Sequence, residues 1–343
     1  MDDNSDYPHT IQVSQLRTFE TTIPASPFAS RRPAVKIPRS FQGVMRSPQS
    51  TEWQQACTTE FAALQRNNTW DLVDLPPGKP VISNKWVFTV KSSLDSFGNA
   101  QIDRYKAQLV VRGDSQSKGL KYDEVYAPVI QFVSLRIILY IAGSLDLEID
   151  QGDFVSAFLN GNLDEEIYMS QPTGFNSASP SKVCCLRKSL YGLKQSARVW
   201  YACLDSELRH QSMIRLPNEQ AFWMCPAVHP TDHPEFTLAH VDDLLFIGTK
   251  QQTAIRKSLL ASKYEFKDMG PTSTFTGLQI TRDHPNRRVY IDQVPYVLEI
   301  LEEFGLLDTT PVTIPMDPKE SWDTNHPLCP HAKLLPTNAP LES

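Results

Sequence analysis

The sequence predicts an α+β fold, in which helices and strands are mixed without a regular βαβ alternation. Some segments carry apolar residues at helical spacing, whereas others are β-rich runs bounded by turn-forming strings such as PPGKP and DSFGN. No internal repeat is visible. With 343 residues, of which 41% are hydrophobic and 21% charged, the chain has an ordinary globular composition and can bury a large core.

The first part of the chain predicts a leader, one helix and then strands. Residues 1–37 are rich in Ser, Thr and Pro, which predicts a disordered leader. Residues 47–70 place Trp53, Phe61 and Leu64 at helical spacing, between a Ser/Thr/Pro-rich start and an Asn-Asn stop. The β-rich runs that follow are Asp71–Leu75, Lys85–Lys91 and Tyr105–Val111.

The second part of the chain predicts three helices and a hairpin. Leu135–Leu145 is apolar on nearly all sides, which predicts a buried helix, and Ser189–His210 predicts an amphipathic helix. Phe236–Ile247 predicts a β-hairpin, and Val294–Phe304 a late helix. Residues 319–343 are rich in Pro, His and Asn without a period, which predicts a disordered tail.

The sequence pattern predicts neither a membrane span nor a secretory signal. No apolar run reaches the roughly 18–20 residues that a membrane-spanning helix needs. The N-terminal string MDDNSDYPHT is acidic and polar, unlike a signal peptide. We therefore expect an intracellular protein, in the cytoplasm or nucleus, with no membrane partner.

Charge is distributed unevenly along the chain. The net charge is −6, but residues 182–198 carry five basic and no acidic side chains, and residues 79–136 are also rich in Lys and Arg. Between these segments, residues 146–166 carry seven acidic side chains. Such an arrangement suits a site that holds phosphates around metal-binding carboxylates. It equally fits separate solvated faces, so charge alone assigns no function.

Two adjacent aspartates lie inside the predicted hairpin. The string FTLAHVDDLLFIG (236–248) places Asp242 and Asp243 between two apolar runs, where a two-residue turn is expected. Aspartate is a common turn residue, so a structural role alone explains the pair. Two neighbouring carboxylates repel each other, however, and a divalent cation over the pair would relieve that repulsion.

A second acidic string, IDQGDFVSAFLNG (149–161), supplies possible partners for this pair. Asp150 and Asp153 end a strand-like run before a turn into helix, where helix N-capping is the structural alternative for both. A two-metal phosphoryl-transfer site needs carboxylates from separate strands. Asp153 and Asp242 lie 89 residues apart in sequence, a separation that adjacent strands can close.

An ordered series of motifs carries a resemblance to a known family. The strings are WVF (86–88), RYKAQLVVRG (104–113), YAPV (126–129), DFVSAFLNG (153–161), EIYM (166–169), QPTGF (171–175), LYGLKQ (190–195), VDDL (241–244), GLQI (277–280), FG (304–305) and PMDP (315–318). In order and spacing they are similar to the reverse transcriptase of copia-type LTR retrotransposon Pol polyproteins, over roughly residues 38–318. Each motif alone is only moderately specific, whereas the ordered series is very specific.

The resemblance implies a right-hand polymerase, that is, an RNA-directed DNA polymerase with an antiparallel palm sheet. The implied subdomains are fingers (38–140), palm (141–255) and thumb or connection (256–318). The implied catalytic and metal-binding residues are Asp153, Asp242 and Asp243. By resemblance, Asp153 and Asp242 would hold two Mg²⁺ ions, for which Mn²⁺ is a possible substitute, and Asp243 would support their field.

The resemblance also implies partners and a nucleotide-binding set. The partners are an RNA or DNA template with its primer, and dNTPs; the oligomeric state is left open. Lys106 and Arg112 match basic residues that face the triphosphate, and Phe158 matches the bulky residue that excludes a ribose 2′-hydroxyl. The loop beneath the nucleotide and template is matched by Tyr191, Gly192 and Gln195.

Several positions depart from the family pattern, and two other functions stay open. The departures are His240 for an aromatic residue, Gln108 for a basic residue, Ser196-Ala197 for Ala-Pro, and Thr276 for Leu. None replaces a carboxylate. Because of this drift, and because no RNase H region is recognisable after Pro318, a catalytically inactive, truncated remnant that at most binds nucleic acid is the main alternative. A two-metal nuclease is the other.

Overall fold

The protein is an α+β structure of two compact units, which confirms the predicted class. A computed structural model describes residues 35–94, 100–113, 127–177, 179, 181–227, 229, 232–307 and 309. The first unit ends at Pro271 and the second begins at Thr272. The predicted leader lies outside the described residues except for 35–37, and the predicted tail lies wholly outside them. The predicted subdomain boundaries stay predictions.

The helices of the described residues are short to medium in length. They are α1 (Phe41–Met45), α2 (Ser50–Arg66), α3 (Phe132–Ser144), α4 (Ser196–His210), α5 (Lys250–Lys263) and α6 (Val294–Glu303), with a 3₁₀ helix at Ala157–Asn160. Among them, none combines the length and apolar character that crossing a bilayer requires.

The strands form a larger part of the architecture than the helices. They are β1 (Trp70–Val73), β2 (Val81–Ile82), β3 (Asn84–Leu94), β4 (Ala100–Val111), β5 (Glu148–Phe154), β6 (Asn162–Met169), β7 (Val183–Lys188), β8 (Ile214–Leu216), β9 (Glu219–Cys225), β10 (Glu235–His240), β11 (Asp243–Gly248), β12 (Phe266–Pro271), β13 (Thr274–Phe275), β14 (Leu278–Asp283) and β15 (Arg288–Asp292).

A six-stranded sheet in the order β12-β5-β11-β10-β9-β8 lies at the centre of the first unit, and each neighbouring pair is antiparallel. Residues Leu244–Gly248 of β11 are all buried, because both faces of this central strand are covered. On one face Leu244 and Phe246 join a core cluster with Trp200 of α4 and Leu260 of α5. This burial explains why the strand reads as a continuous apolar run instead of an alternating one.

A second core lies under the four-stranded sheet β1-β7-β6-β2 and the long hairpin β3-β4. Trp53 of α2 is fully buried there, and its ring lies 5.4 Å from Phe88 and 4.7 Å from Tyr105, both edge-on. Such aromatic pairs contribute roughly 0.5–1.5 kcal/mol beyond the area they bury. The helical spacing that predicted α2 thus marks the face that packs on β3 and β4.

Two buried ion-pair groups join α5 to the six-stranded sheet. Lys257 lies 2.6 Å from Asp150 Oδ2 of β5, and Arg256 Nε lies 2.7 Å from Glu235 Oε1 of β10. Asp150 therefore has a structural partner on the helix side of the sheet, and Thr253 also donates a hydrogen bond to it.

Two helix predictions need correction. The predicted helix Ser189–His210 begins only at Ser196, because residues 189–195 form a loop in which Gly192 has a φ of +93°. The helix predicted at Leu135–Leu145 begins earlier, at Phe132, and is not buried on all sides: Val133 and Tyr140 are 63% and 75% exposed. Because this helix is apolar on nearly all sides, its composition did not indicate that one face is exposed.

The second unit contains a three-stranded antiparallel sheet and one helix among its described residues. The sheet order is β13-β14-β15, and Phe275, Leu278 and Ile280 are buried. The predicted late helix is found as α6, one residue shorter than predicted.

Candidate active site

Two sequence-distant carboxylates become direct neighbours in the six-stranded sheet. β5 and β11 pair antiparallel in a register that places Asp153 opposite Asp243. Asp242 immediately precedes Asp243, so three acidic residues meet where β5 ends and the β10-β11 hairpin turns. Directly opposed residues of an antiparallel pair have Cβ atoms roughly 4.5–5.5 Å apart. The structure therefore brings together the three aspartates that the sequence singled out.

The hairpin turn is one residue earlier than predicted. His240 pairs with Asp243, so Val241 and Asp242 form the two-residue turn, and Asp243 is the first residue of β11. The sequence interpretation placed both aspartates in the turn. The pairing of Asp243 with Asp153 is what draws Asp243 into the strand.

Val241 occupies a strained backbone conformation at this turn. Its φ is +62°, in the left-handed region that a β-branched residue rarely adopts and that costs roughly 1–3 kcal/mol. The Trp200 indole Nε1 donates to the Val241 carbonyl oxygen at 3.0 Å, and the Phe154 amide donates to the Asp242 carbonyl oxygen at 3.3 Å. Contacts from α4 and β5 thus stabilise the strained turn that carries Asp242.

Burial and crowded negative charge raise the pKa of two of these carboxyls, Asp153 and Asp243. Burial first, and then the charges of Asp242 and Asp243, raise the pKa of Asp153 to about 6, although Lys106 and Lys267 act in the opposite direction. Burial and Asp242 also raise the pKa of Asp243, and a hydrogen bond from Gln151 opposes that rise. Burial and neighbouring negative charge therefore both disfavour the ionised forms of Asp153 and Asp243.

This donor set has the chemistry of a divalent-metal site. Carboxylate oxygens are the ligands that Mg²⁺ prefers, and a cation would relieve the repulsion that raises the Asp153 pKa. In the described part of the chain, however, no three His, Cys, Asp or Glu side chains already form a group poised to hold a metal ion. The donor types fit a cation, and side-chain rotation would have to complete the site.

Tyr191 lies against both the carboxylates and Phe158. Its hydroxyl donates to Asp242 Oδ2 at 3.2 Å, and its ring centroid lies 4.5 Å from that of Phe158, which is buried. Burial first, and then the charge of Asp242, raise the pKa of Tyr191, so that its hydroxyl stays protonated at neutral pH. Tyr191 and Phe158, which are both predicted site residues, thus pack against each other, and Tyr191 contacts Asp242.

The Tyr191-Gly192 loop is fixed to the end of β4. The Val111 amide donates to the Tyr191 carbonyl oxygen at 2.8 Å. Gly192 has a φ of +93°, and a Cβ atom there would lie 2.0 Å from the Val111 carbonyl oxygen. Both the backbone conformation and the close approach therefore require glycine.

Replacing Gly192 by alanine is expected to lower the free energy of unfolding by about 2–4 kcal/mol, as left-handed strain and overpacking add together. Urea denaturation measures this loss. Gly78→Ala is the matched control, because Gly78 has a φ of +76° but no atom near its missing Cβ. That control should lose only about 1–2 kcal/mol. Equal losses in the two variants would contradict the contact with Val111.

The remaining predicted site residues lie at different distances from the carboxylates. Lys106 is half-buried in β4, and its positive charge partly opposes the rise in the pKa of Asp153. Arg112 is exposed just after β4, where its backbone amide donates to the Ser83 carbonyl oxygen at 2.8 Å. Gln195 is buried at the N-cap of α4. Their predicted roles in nucleotide binding stay predictions.

The sequence reasoning missed Gln151 and noted Gln108 only as a departure from the family pattern, yet both glutamines contact the site. Gln151 hydrogen-bonds to Asp243, and Gln108 hydrogen-bonds to Tyr191. The period-2 alternation of strands places Gln151 on the same face as Asp153, and Gln108 on the same face as Lys106. That alternation was readable from the sequence and could have identified both.

Comparison with known proteins decides the family. Residues 67–318 match the family described as reverse transcriptase (RNA-dependent DNA polymerase). The chain belongs to the reverse transcriptase family. It is 39% identical over 285 residues to the Retrovirus-related Pol polyprotein from transposon TNT 1-94 of Nicotiana tabacum, covering 81% of this chain and 21% of that protein. The resemblance to copia-type Pol polyproteins is thereby confirmed.

A second plant relative and two solved structures extend the comparison of this reverse transcriptase-family chain. The Pol polyprotein from transposon RE1 of Arabidopsis thaliana is 34% identical over 270 residues, covering 78% of this chain and 18% of that protein. The chain therefore spans about a fifth of the length of these curated relatives. A foamy viral protease-reverse transcriptase in complex with dsDNA matches with a TM-score of 0.34 at 11% identity, over 84% of this chain and 52% of that chain. A Candida albicans telomerase matches with a TM-score of 0.36 at 9% identity, over 75% and 55%.

Proposed function

We propose that this chain is an RNA-directed DNA polymerase that transfers nucleotides from dNTPs to a primer 3′-hydroxyl on an RNA or DNA template. The observation that carries the proposal is the register of Asp153 opposite Asp243, beside Asp242, in a member of the reverse transcriptase family. The proposed architecture is a right hand with fingers (38–140), a palm (141–255) built on the six-stranded antiparallel sheet, and a thumb (256–318).

Asp153 and Asp242 are the proposed ligands of two Mg²⁺ ions, with Mn²⁺ as a possible substitute, and Asp243 supports their negative field. Bound there, the ions would supply activation of the primer hydroxyl and neutralisation of the triphosphate and its leaving pyrophosphate. The chain's own part is to hold three carboxylates together against their repulsion. The strained turn at Val241 and the strand pairing of Asp153 do this.

The groups around the carboxylates have proposed roles in nucleotide selection. Lys106 and Arg112 contact the triphosphate by charge-assisted hydrogen bonds, which contribute about 1.5–3 kcal/mol each. The Phe158 ring excludes a ribose 2′-hydroxyl, so that deoxynucleotides are preferred. Tyr191, Gly192 and Gln195 form the surface beneath the nucleotide and template.

An inactive remnant that only binds nucleic acid is the less favoured function. Departures from the family pattern, such as Gln108 and His240, favoured the inactive remnant. However, all three carboxylates are present and lie next to one another. A protein that only bound nucleic acid would gain nothing from carboxylates that repel phosphates.

Primer extension on an RNA template with Mg²⁺ and dNTPs tests the proposed function. Wild-type protein should extend the primer, and Asp242→Asn should lose extension while still binding the primer–template. Absence of extension by the wild type with either Mg²⁺ or Mn²⁺ would exclude the polymerase, and cleavage without dNTPs would indicate a nuclease instead.

Replacing Phe158 by valine is expected to lower the discrimination between dNTPs and rNTPs by about 10–100-fold, because a smaller side chain leaves room for the 2′-hydroxyl. Single-nucleotide incorporation gives the ratio of kcat/KM values for a dNTP and its rNTP. Phe222→Val is the matched control, since Phe158 and Phe222 are both 8% exposed. If both variants changed the ratio equally, loss of packing and not the nucleotide pocket would be responsible.

A further inference from the structure

Tyr191 contacts two parts of the candidate site through two different chemical groups. Its hydroxyl donates to Asp242 Oδ2 at 3.2 Å, whereas its ring lies 4.5 Å from the Phe158 ring at an interplanar angle of 56°. Its backbone is held on β4 by the Val111 amide. One immobilised side chain thus contacts both a proposed metal ligand and the proposed 2′-hydroxyl filter.

Gln108 is, through its side chain, a second hydrogen-bond partner of the Tyr191 hydroxyl. A tyrosine hydroxyl has one proton, and an ionised carboxylate can only accept, so the proton must be directed at Asp242. Gln108 must then donate its amide N–H to the hydroxyl oxygen, which completes a relay from Gln108 through Tyr191 to Asp242.

We propose that Gln108 is a positioning residue that orients the Asp242 carboxylate through the Tyr191 hydroxyl, while the Tyr191 ring separately braces Phe158. This proposal rests on the proposed function, because it assigns the contacts of Tyr191 with Asp242 and with Phe158 to roles in the proposed polymerase site. Gln108 would act through Tyr191 and not by direct contact with the metal or the nucleotide. Hydrogen-bonded partners that orient metal ligands commonly change metal affinity or activity by about 10–100-fold.

The neutrality of Gln108 is part of the inference. It lies on the same face of β4 as Lys106, whose charge already acts on Asp153. A neutral amide at this position donates a hydrogen bond to the Tyr191 hydroxyl without adding a charge beside the carboxylates.

Mn²⁺ affinity of the full chain, measured by isothermal titration calorimetry without nucleotide or primer, tests the relay. Tyr191→Phe removes the hydroxyl but keeps the ring, and Gln108→Leu removes the amide. We expect Tyr191→Phe to weaken Mn²⁺ binding about 10-fold and Gln108→Leu by less.

The double variant Gln108→Leu/Tyr191→Phe separates a relay from two independent effects. If Gln108 acts through the hydroxyl, the double variant binds Mn²⁺ no more weakly than Tyr191→Phe alone. Multiplied losses, or an unchanged affinity in Gln108→Leu, would overturn the proposal. Mn²⁺ binding is measured without turnover. A wild type whose Mn²⁺ affinity depends on Gln108 and Tyr191, but which extends no primer, would therefore refute the proposed function and leave the positioning role of Gln108 standing.

The brace on Phe158 is tested by nucleotide discrimination. Tyr191→Leu removes the ring and should lower the dNTP-to-rNTP preference about 10-fold, whereas Tyr191→Phe keeps the ring and should leave that preference unchanged. Equal changes in the two variants would overturn the separation of ring and hydroxyl.

Discussion

Asp153→Asn is expected to lose nucleotide incorporation by about 10³-fold or more while making the protein more stable at neutral pH. The first effect follows because Asp153 is one of two proposed metal ligands, and loss of preorganised charge stabilisation typically costs that much. The second follows because burial and two neighbouring aspartates raise the pKa of Asp153 to about 6, so that the ionised form is disfavoured in the folded protein.

The pH dependence distinguishes this explanation from a general gain of stability. A carboxyl whose pKa rises from 3.8 to about 6 on folding adds stability below pH 4, and that contribution is lost as pH rises through 6. The advantage of Asp153→Asn over the wild type should therefore appear between pH 4 and 6 and stay constant above. After allowance for solvent screening it should be about 1 kcal/mol.

Urea denaturation at pH 4 and pH 7, without divalent ions, measures this advantage, and primer extension measures the loss of activity. Asp74→Asn is the control, because Asp74 is exposed and outside the site. An advantage that is equal at both pH values would refute the burial and crowding of an ionised Asp153 carboxylate as its source. Addition of Mg²⁺ should stabilise the wild type more than the variant, since only the wild type keeps all three carboxylates.

The strand pairing at the site could be predicted from the sequence in outline but not in register. The apolar runs around Asp242 and Asp243 predict a hairpin, and Asp153 at the end of a strand-like run predicts a neighbour. The turn was placed one residue late, because nothing in the local sequence indicates a left-handed Val241. The Trp200 indole, which stabilises that conformation, comes from a helix some forty residues away in sequence.

Helix predictions failed where tertiary contacts overrode local preference. Residues 189–195 have apolar side chains at helical spacing, yet the loop is held on β4 by Val111, and Gly192 permits the left-handed turn. The roles of Gln108 and Gln151 have the same origin. Alternation places each on the correct face of its strand, but only the packing of β4 on the Tyr191 loop and of β5 on β11 supplies the partner.

Arg256→Met is expected to lower the free energy of unfolding by about 3–5 kcal/mol, because it leaves the buried Glu235 carboxylate without its charge partner. Arg256 and Glu235 are each 6% exposed, and the guanidinium donates to both carboxylate oxygens, at 2.7 and 2.9 Å. The same guanidinium donates to the Gln211 carbonyl and side-chain oxygens at 3.1 and 2.8 Å. One side chain thus joins α5, β10 and the end of α4.

The loss should be reversed largely by a second substitution, which separates the cost of an unpaired charge from the cost of lost packing. In Arg256→Met/Glu235→Leu no buried charge remains, and well-packed apolar replacements of buried ion pairs are often neutral. Urea denaturation of both single variants and the double variant measures the difference, with Arg66→Met on an exposed helix end as the control expected to change stability by less than about 0.5 kcal/mol. A double variant as unstable as Arg256→Met would show instead that the hydrogen bonds to Gln211 fix α5.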